Sequence, residues 1–477
     1  MVIIGIRTSK AVKSTSDYFI GGRKFGKFIS IMLMFGSGTH ADQAVGVISK
    51  CYQVGLAGIW YQWIWLIVTP FYWLMGPVLR RLRVVTASDI FRRRYDQNIA
   101  SLYSLVAIAM ITLNIGLMLL GSGRIVEALT GGKISFAFTI WAMTLLFVTY
   151  GIAGGFIAAA ITDVIQGVLT IILSFILLPF AIIKVGGFSG LHEKISLVHS
   201  DFFSLIAPGD ITLFFITMAV INAILQWPCQ PHHVPICSSG KTEMESRVGV
   251  TFGNMVKRFC TVAWAFTGIA AVIIAPGLED SDHAFGAVAQ ALLPTGLVGL
   301  LLASVIAAVQ STCDAMMISA AGIFTRNVYK VYISDNKTDR HYLLVARISS
   351  LIVVAAGILI AFYLPGVVKG LELIWQIPAL MAIPFWAGIF WRRANPASAW
   401  VSFLMATGTF LLCEYGFFAG IEVPLPFQML AYLTAGLAGA VVTALLTSPQ
   451  DQETLDVFYR DLQTPVDTIE EIATDTM

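Results

Sequence analysis

The chain has 477 residues, of which 57% are hydrophobic and 12% charged, with a mean hydropathy of +0.80. A soluble globular protein carries about twice that share of charge, so the composition describes an all-α polytopic membrane protein whose surroundings are the lipid bilayer. A net charge of +2 gives no general attraction to nucleic acid, and no nucleic-acid partner is expected.

Residues 1–26 are largely polar and basic and read as a cytoplasmic segment; their apolar run is too short for a secretory signal peptide. The first span, about 27–52, is interrupted by Phe35-Gly36-Ser37-Gly38-Thr39-His40-Ala41-Asp42-Gln43. Two glycines and several polar groups make a poor continuous helix there. Unwound backbone at that depth survives only where it lines a cavity or is packed in protein. Spans two to five are predicted at about 57–80, 99–129, 133–152 and 156–184, followed by a polar loop over 186–208. Gly154-Gly155 reads as a tight turn between two of these spans and not as a phosphate loop, because no Lys-Ser/Thr follows.

The sixth span, about 209–235, is interrupted in turn by Asn222-Ala223-Ile224-Leu225-Gln226-Trp227-Pro228-Cys229-Gln230-Pro231-His232-His233. Its two prolines remove backbone donors and break the helix. Further spans fall at about 247–276, 295–325, 341–365 and 370–392, and two more at 396–418 and 425–447 within an additional segment 396–447, twelve in all. Residues 448–477 carry eight acids against one base, Arg460, and read as a solvated, partly helical or disordered cytoplasmic tail. Two broken helices, each opening a group of five spans, predict a five-plus-five inverted-repeat transporter core over 27–392, in halves 27–184 and 209–392, with its ligands at mid-membrane beside the breaks.

Lysine and arginine set the orientation. Arg80, Arg81, Arg92, Arg93, Arg94, Arg326, Arg392 and Arg393 collect on one side, which is therefore cytoplasmic and also takes the tail.

The eighth span places Ala308, Ser311, Thr312 and Ala315 on one helical face. Two hydroxyls beside carbonyls freed by a broken neighbour suit a small hard cation; the same hydroxyls could instead bond back to their own helix or join two helices. Asp314 lies three residues beyond Ser311 and, with Asp163, would form a second cation site or stay protonated and silent. In the first break, His40 would bond solute, shuttle a proton or simply pack, and Asp42 would bind solute or pair with a neighbouring polar group. His232 and His233 are placed near the inner end of the sixth span; with no further ligands at suitable spacing they exclude a zinc site. Trp60, Trp63, Trp65 and Trp73 fit interfaces and packing. The six scattered cysteines read as small buried side chains.

Several of these stretches resemble the sodium/solute symporter family, the sodium-coupled carriers of sugars, proline, pantothenate and sialic acid. They are Asp17-Tyr18-Phe19-Ile20-Gly21-Gly22-Arg23, Thr149-Tyr150-Gly151-Ile152-Ala153-Gly154-Gly155 with Thr162-Asp163-Val164-Ile165-Gln166, Ser311-Thr312 with Phe324-Thr325-Arg326-Asn327-Val328-Tyr329-Lys330, and Gly388-Ile389-Phe390-Trp391. The resemblance implies a sodium site of the carbonyls of Gly36, Thr39 and Ala308 with the hydroxyls of Ser311 and Thr312. It also implies support from Asp163 and solute contacts near Gln43 and Asn222, with His40, Asp42 and Gln226 as further polar groups beside the breaks. Many members carry an extra helix ahead of the first core helix, of which only Met1 to Ile6 would remain here.

The expectation is a sodium-coupled symporter of a small organic solute in the plasma (inner) membrane, with Na+ as the coupling ion. A proton-coupled or uncoupled carrier on the same fold is the first alternative, and a membrane solute sensor the second. No nucleophile–base motif supports an enzyme.

Overall fold

The computed structural model describes residue 23, residues 25–416 and residues 423–466, and over 150–163 and at Ser311 and Asp339 the backbone alone. The motif over 17–22 and the last eleven residues of the tail lie outside the described residues. The side chains of Asp163 and Ser311 lie outside them too.

The helices that build the molecule are α1 (Lys27–Gly38), α2 (Ala41–Val54), α3 (Trp60–Arg81), α4 (Ala87–Arg94), α5 (Gln97–Leu129), α6 (Phe136–Phe175) and α7 (Leu178–Val185). They continue as α8 (Gly187–Ser196), α9 (Leu213–Gln226), α10 (His233–Ser239), α11 (Glu243–Ile274), α12 (Ala284–Leu292) and α13 (Thr295–Phe324). The last six are α14 (Asp339–Tyr363), α15 (Val367–Gln376), α16 (Ala382–Phe390), α17 (Pro396–Tyr415), α18 (Leu425–Leu446) and α19 (Gln452–Gln463). Among the described residues no strand forms, only isolated bridges between Phe25 and Gly240 and between Ala207 and Ile211.

Among the described residues nine stretches are long and apolar enough to cross a hydrocarbon core, and the pair α9–α10, bent by 60°, makes a tenth. Of the other two expected spans, the first is represented by the shorter apolar helix Lys27–Gly38, and the fourth, about 133–152, is the opening part of one helix, Phe136–Phe175, that also carries the start of the fifth. The first is cut short by its break, since α2 runs on through a turn into α3 as one stretch, Ala41–Arg81. The expected turn at Gly154-Gly155 is not observed: α6 runs unbroken from Phe136 to Phe175. The good helix formers on either side of the glycine pair, such as the alanines at 158–160, carry the backbone through it.

Burial follows the sequence pattern. α5 is apolar all round and surrounded on nearly all sides, whereas α14, α17 and α18 turn much of their surface outward to lipid. α11 packs along α1, α2 and α3. Gly253 makes that approach possible, because a Cβ there would stand 2.8 Å from the Ile31 carbonyl of α1. α13 lies between α6 and α5 and touches α1.

At the basic end, Arg94 donates to the carbonyls of Gly388, Trp391 and Ala394, and Arg81 pairs with Glu243. The described part of the tail is a short helix, mostly exposed, that also docks on the core. α19 buries Leu455 and Phe458, Asp456 pairs with Arg392, Tyr459 donates to the Gly388 carbonyl at 2.9 Å, and the Val466 amide donates to Glu243 at 2.8 Å. Two apolar residues three apart give this short helix a face to bury that a count of its acids conceals.

Candidate functional site

α1 stops at Gly38 because Thr39 (φ −126°, ψ 109°) and His40 (φ −126°, ψ 166°) are extended. The break leaves the last carbonyls of α1 without donors from their own helix. Side chains of other helices meet them. Lys257 of α11 donates to the Gly38 carbonyl, and Thr312 Oγ1 of α13 reaches the Gly36 carbonyl at 3.4 Å. His40 Nε2 lies 3.1 Å from the Ser37 carbonyl. Thr39 and Ala308 are wholly buried, and the Thr39 hydroxyl has no partner.

The second break follows Gln226. Trp227-Pro228-Cys229 forms a single tight turn, Gln230 is extended (φ −75°, ψ 122°), and α10 leaves at the 60° bend. His233 Nδ1 lies 2.8 Å from the Trp227 carbonyl, and the Trp227 ring is flanked by Tyr72 and His233, with ring centroids 4.9 and 4.5 Å away. The inner-end placement of His232 and His233 is thereby corrected. The bend sets both at the start of the second half-helix, beside the cavity.

Between the two breaks lies a cavity of about 60 Å³. α1 and α2 give it Gly38, His40, Asp42 and Gln43; α3 gives Gln62, Trp65 and Tyr72; α5 gives Asn114; α11 gives Asn254, Lys257 and Arg258; α15 gives Trp375. Gly121 of α5 lets that helix close over the break, as a Cβ there would stand 2.6 Å from the Asp42 Cα. His40 Nδ1 and Asp42 Oδ1 are 3.4 Å apart, and Gln43 Oε1 is buried without a partner.

The sequence-predicted residues divide. His40, Asp42 and Gln43 line the cavity, Thr312 of α13 meets the Gly36 carbonyl of α1, Thr39 is buried just past that end of α1, and Ala308 is buried one turn before Thr312 on α13. Asn222 is committed elsewhere: its amide donates to the Trp375 carbonyl and its oxygen accepts from Tyr432, both at 2.8 Å. Gln226 is buried and accepts from Gln230 at 2.9 Å, outside the cavity wall. Asp314 is buried on α13. Trp65, read as packing, also faces the cavity. Sequence reasoning missed Lys257 and Arg258, although a Lys-Arg pair near the middle of an apolar span is a signal in its own right, since intramembrane charges are expensive and are kept for function. Among the described residues no cluster of His, Cys or carboxylates could hold a metal such as zinc.

Two helices broken at mid-membrane around one polar cavity, each at the head of a group of spans, define a secondary transporter with an inverted-repeat core. The chain belongs to the Sodium:solute symporter family, whose profile matches residues 18–406. It is thus a multi-pass integral protein of the plasma membrane that couples the movement of a small organic solute to sodium.

Similar proteins include the sodium/glucose cotransporter of Vibrio parahaemolyticus, 25% identical over 95% of this chain and 90% of that protein. The sodium/pantothenate symporter of Haemophilus influenzae is 26% identical, over 89% of this chain and 90% of its own. A solved Na+-coupled sialic acid symporter in a substrate-bound, outward-open state superposes with a TM-score of 0.82 at 20% identity, over 94% of this chain and 96% of its own. At that identity the last likeness speaks for the fold.

Proposed function

We propose that sodium binds where the broken end of α1 meets α13, through the carbonyls of Gly36, Thr39 and Ala308 and the hydroxyls of Ser311 and Thr312, and that solute binds in the adjoining cavity through Gln43, His40 and Asp42. The observation that carries this reading is the Thr312 hydroxyl set against the Gly36 carbonyl, a side chain of one helix at a backbone oxygen that the break in another leaves free. The donors are hard oxygens, which suits a small hard cation better than a soft one. The partnerless Thr39 hydroxyl adds an unclaimed oxygen at the same break.

The mechanism follows from the joint. Sodium between α1 and α13 adds a tie to two helices that pack together and share the long Thr312–Gly36 hydrogen bond, and so favours the conformation in which the solute wall is assembled. Movement of one half of the core against the other separates them, which weakens the ion cage and opens the cavity to the opposite side. Asp314 and Asp163 supply a second cation site, with Asp314 contributing from the helix that carries Thr312.

The test is thermal unfolding of the purified chain in sodium chloride against choline chloride at equal ionic strength. A ligand at 100 times its Kd adds ~2.7 kcal/mol to the folded state. Sodium-specific stabilisation of the unaltered chain, lost in both Ser311→Ala and Thr312→Ala, is the expected result. No sodium effect in the unaltered chain would overturn the assignment.

A further inference from the structure

Two cations stand in the wall of the cavity between the breaks. Lys257 and Arg258 are neighbours on α11, 6% and 4% exposed, and both line the cavity. Consecutive residues of a helix diverge by about 100°, so the cavity wraps a broad side of α11. Lys257 is partly answered, since its ammonium donates to the last carbonyl of α1, where the helix dipole favours a cation.

Arg258 is answered only by neutral groups. Its Nη1 donates to the Gln62 main-chain carbonyl at 2.6 Å and to Gln62 Oε1 at 3.2 Å, and its Nη2 to Asn254 Oδ1 at 3.4 Å. Its Nε is buried without a partner. Among the described residues neither cation has an ion-pair partner. Among the described residues Asp42 is the one carboxylate in the wall, and its contact is with His40.

Counted by side chain at their ordinary charges and leaving the histidines aside, the described lining sets two positive groups, Lys257 and Arg258, against one negative, Asp42. A buried charge without a counter-charge is strongly disfavoured. A neutral sugar would leave the excess in place, and so would a zwitterionic amino acid; a dianion would reverse it. A ligand with one negative charge cancels it, and a carboxylate matches the guanidinium and ammonium donors best. Gln43, Asn114 and Gln230 remain in the wall for a hydroxyl or keto oxygen.

We propose that the solute is a small polar monocarboxylate, a hydroxy acid or keto acid, whose carboxylate is held by Arg258 and Lys257. This rests on the symport reading above and adds the class of solute to it.

The experiment is thermal unfolding of the full chain in detergent at constant total sodium, with solutes in charge-matched pairs: lactate against propane-1,2-diol and D-gluconate against D-glucitol, with pyruvate, L-proline and D-glucose alongside. The expected result is that a carboxylate stabilises the protein, its neutral mate does not, and Arg258→Gln weakens the apparent affinity at least tenfold while the shift due to sodium alone persists. Arg258→Lys, which keeps the charge and loses the fork, retains part of the affinity. If Arg258→Gln does not accumulate, the panel on the unaltered chain decides. Stabilisation by sodium with no response to any carboxylate, or with a response to glucose or proline only, overturns the proposal. Stabilisation by a carboxylate without any response to sodium keeps the carboxylate site and overturns the coupling; no response to either overturns both.

Discussion

Asn222 and Gln43 are both buried amides beside a broken helix, yet their surroundings assign them opposite tasks. Asn222 uses donor and acceptor to join α9 to the Trp375 carbonyl and to Tyr432 of α18. Asn222→Ala should therefore cost about 1–3 kcal/mol for the groups left unpaired, while the KM for solute stays within about twofold among molecules that fold. Gln43 lines the cavity with its oxygen unclaimed. Gln43→Ala should change unfolding little and raise the KM about tenfold, the weight of one good hydrogen bond. Uptake kinetics and thermal unfolding on the same two variants check this; a reversed pattern would return Asn222 to the solute site. The sequence singled out residues whose chemistry is unusual for their depth, and of these the structure sets Thr312 at the Gly36 carbonyl and His40, Asp42 and Gln43 in the cavity wall. Asn222 shows the limit of that reading, because the partners that decide its role come from α15 and from α18, some 150 and 210 positions away. Lys257 and Arg258 show a different limit, since the pair was visible in the sequence but the cavity that gives it meaning exists only once α1, α2, α3, α5, α10 and α15 surround α11.

The broken helices were readable as elements because proline, glycine and clustered polar groups interrupt an apolar run for reasons local to the run. What closes over them was not. Between α11 and α12, outside the membrane, Asp282 accepts from the Val367 amide at 2.8 Å, capping the first turn of α15, the helix that carries Trp375 to the cavity. Burial pushes its carboxyl above the usual aspartate value of 3.8, and Asp280 adds to this, while the Val367 amide, Ser49 and Arg124 pull the other way. A folded-state pKa above the unfolded one means that ionisation is resisted in the folded state. This contribution to stability is fully present below 3.8 and falls as pH rises through the raised value. Asp282→Asn keeps an acceptor for Val367 and removes the charge, so the variant should be at least as stable at neutral pH and lose that part of the pH dependence, as pH-resolved thermal unfolding would show; a less stable variant would mean that the charge itself is needed at the cap.

The same scale holds the C-terminal strap. α19 and the residues just after it tie the end of α16 to the start of α11, Tyr459 on the helix and Val466 beyond it, anchored by buried Leu455 and Phe458. The strap thus joins two ends that belong to different parts of the core, and its release is expected to ease their movement against each other. Phe458→Asp should free the helix, increase protease cleavage near residues 448–452 and raise the rate of exchange across the membrane, read as faster solute counterflow. An unchanged cleavage pattern would show the strap to be held by something other than this apolar face.

Across the whole molecule, the ledger of charge links the ion site to the solute site. Moving one net charge through 100 mV is worth ~2.3 kcal/mol, equal to roughly a 50-fold change in accumulation at 1.4 kcal/mol per factor of ten. One sodium at the α1–α13 joint carried with one monocarboxylate moves no net charge. Uptake into proteoliposomes with that joint alone occupied should follow the sodium gradient and ignore a potassium–valinomycin potential. A second sodium held by Asp314 and Asp163 would make each cycle carry one positive charge, and an inside-negative potential of 100 mV would then raise accumulation by up to about 50-fold. Because Asp314 is buried on the helix that bears Thr312, the expected outcome for the unaltered chain is potential-driven uptake. Asp314→Asn should convert it to uptake that keeps its sodium dependence and loses its response to potential. Uptake that ignores potential from the start would leave a single sodium and remove Asp314 from the cation path; a response to potential that survives Asp314→Asn would place the second charge elsewhere in the core.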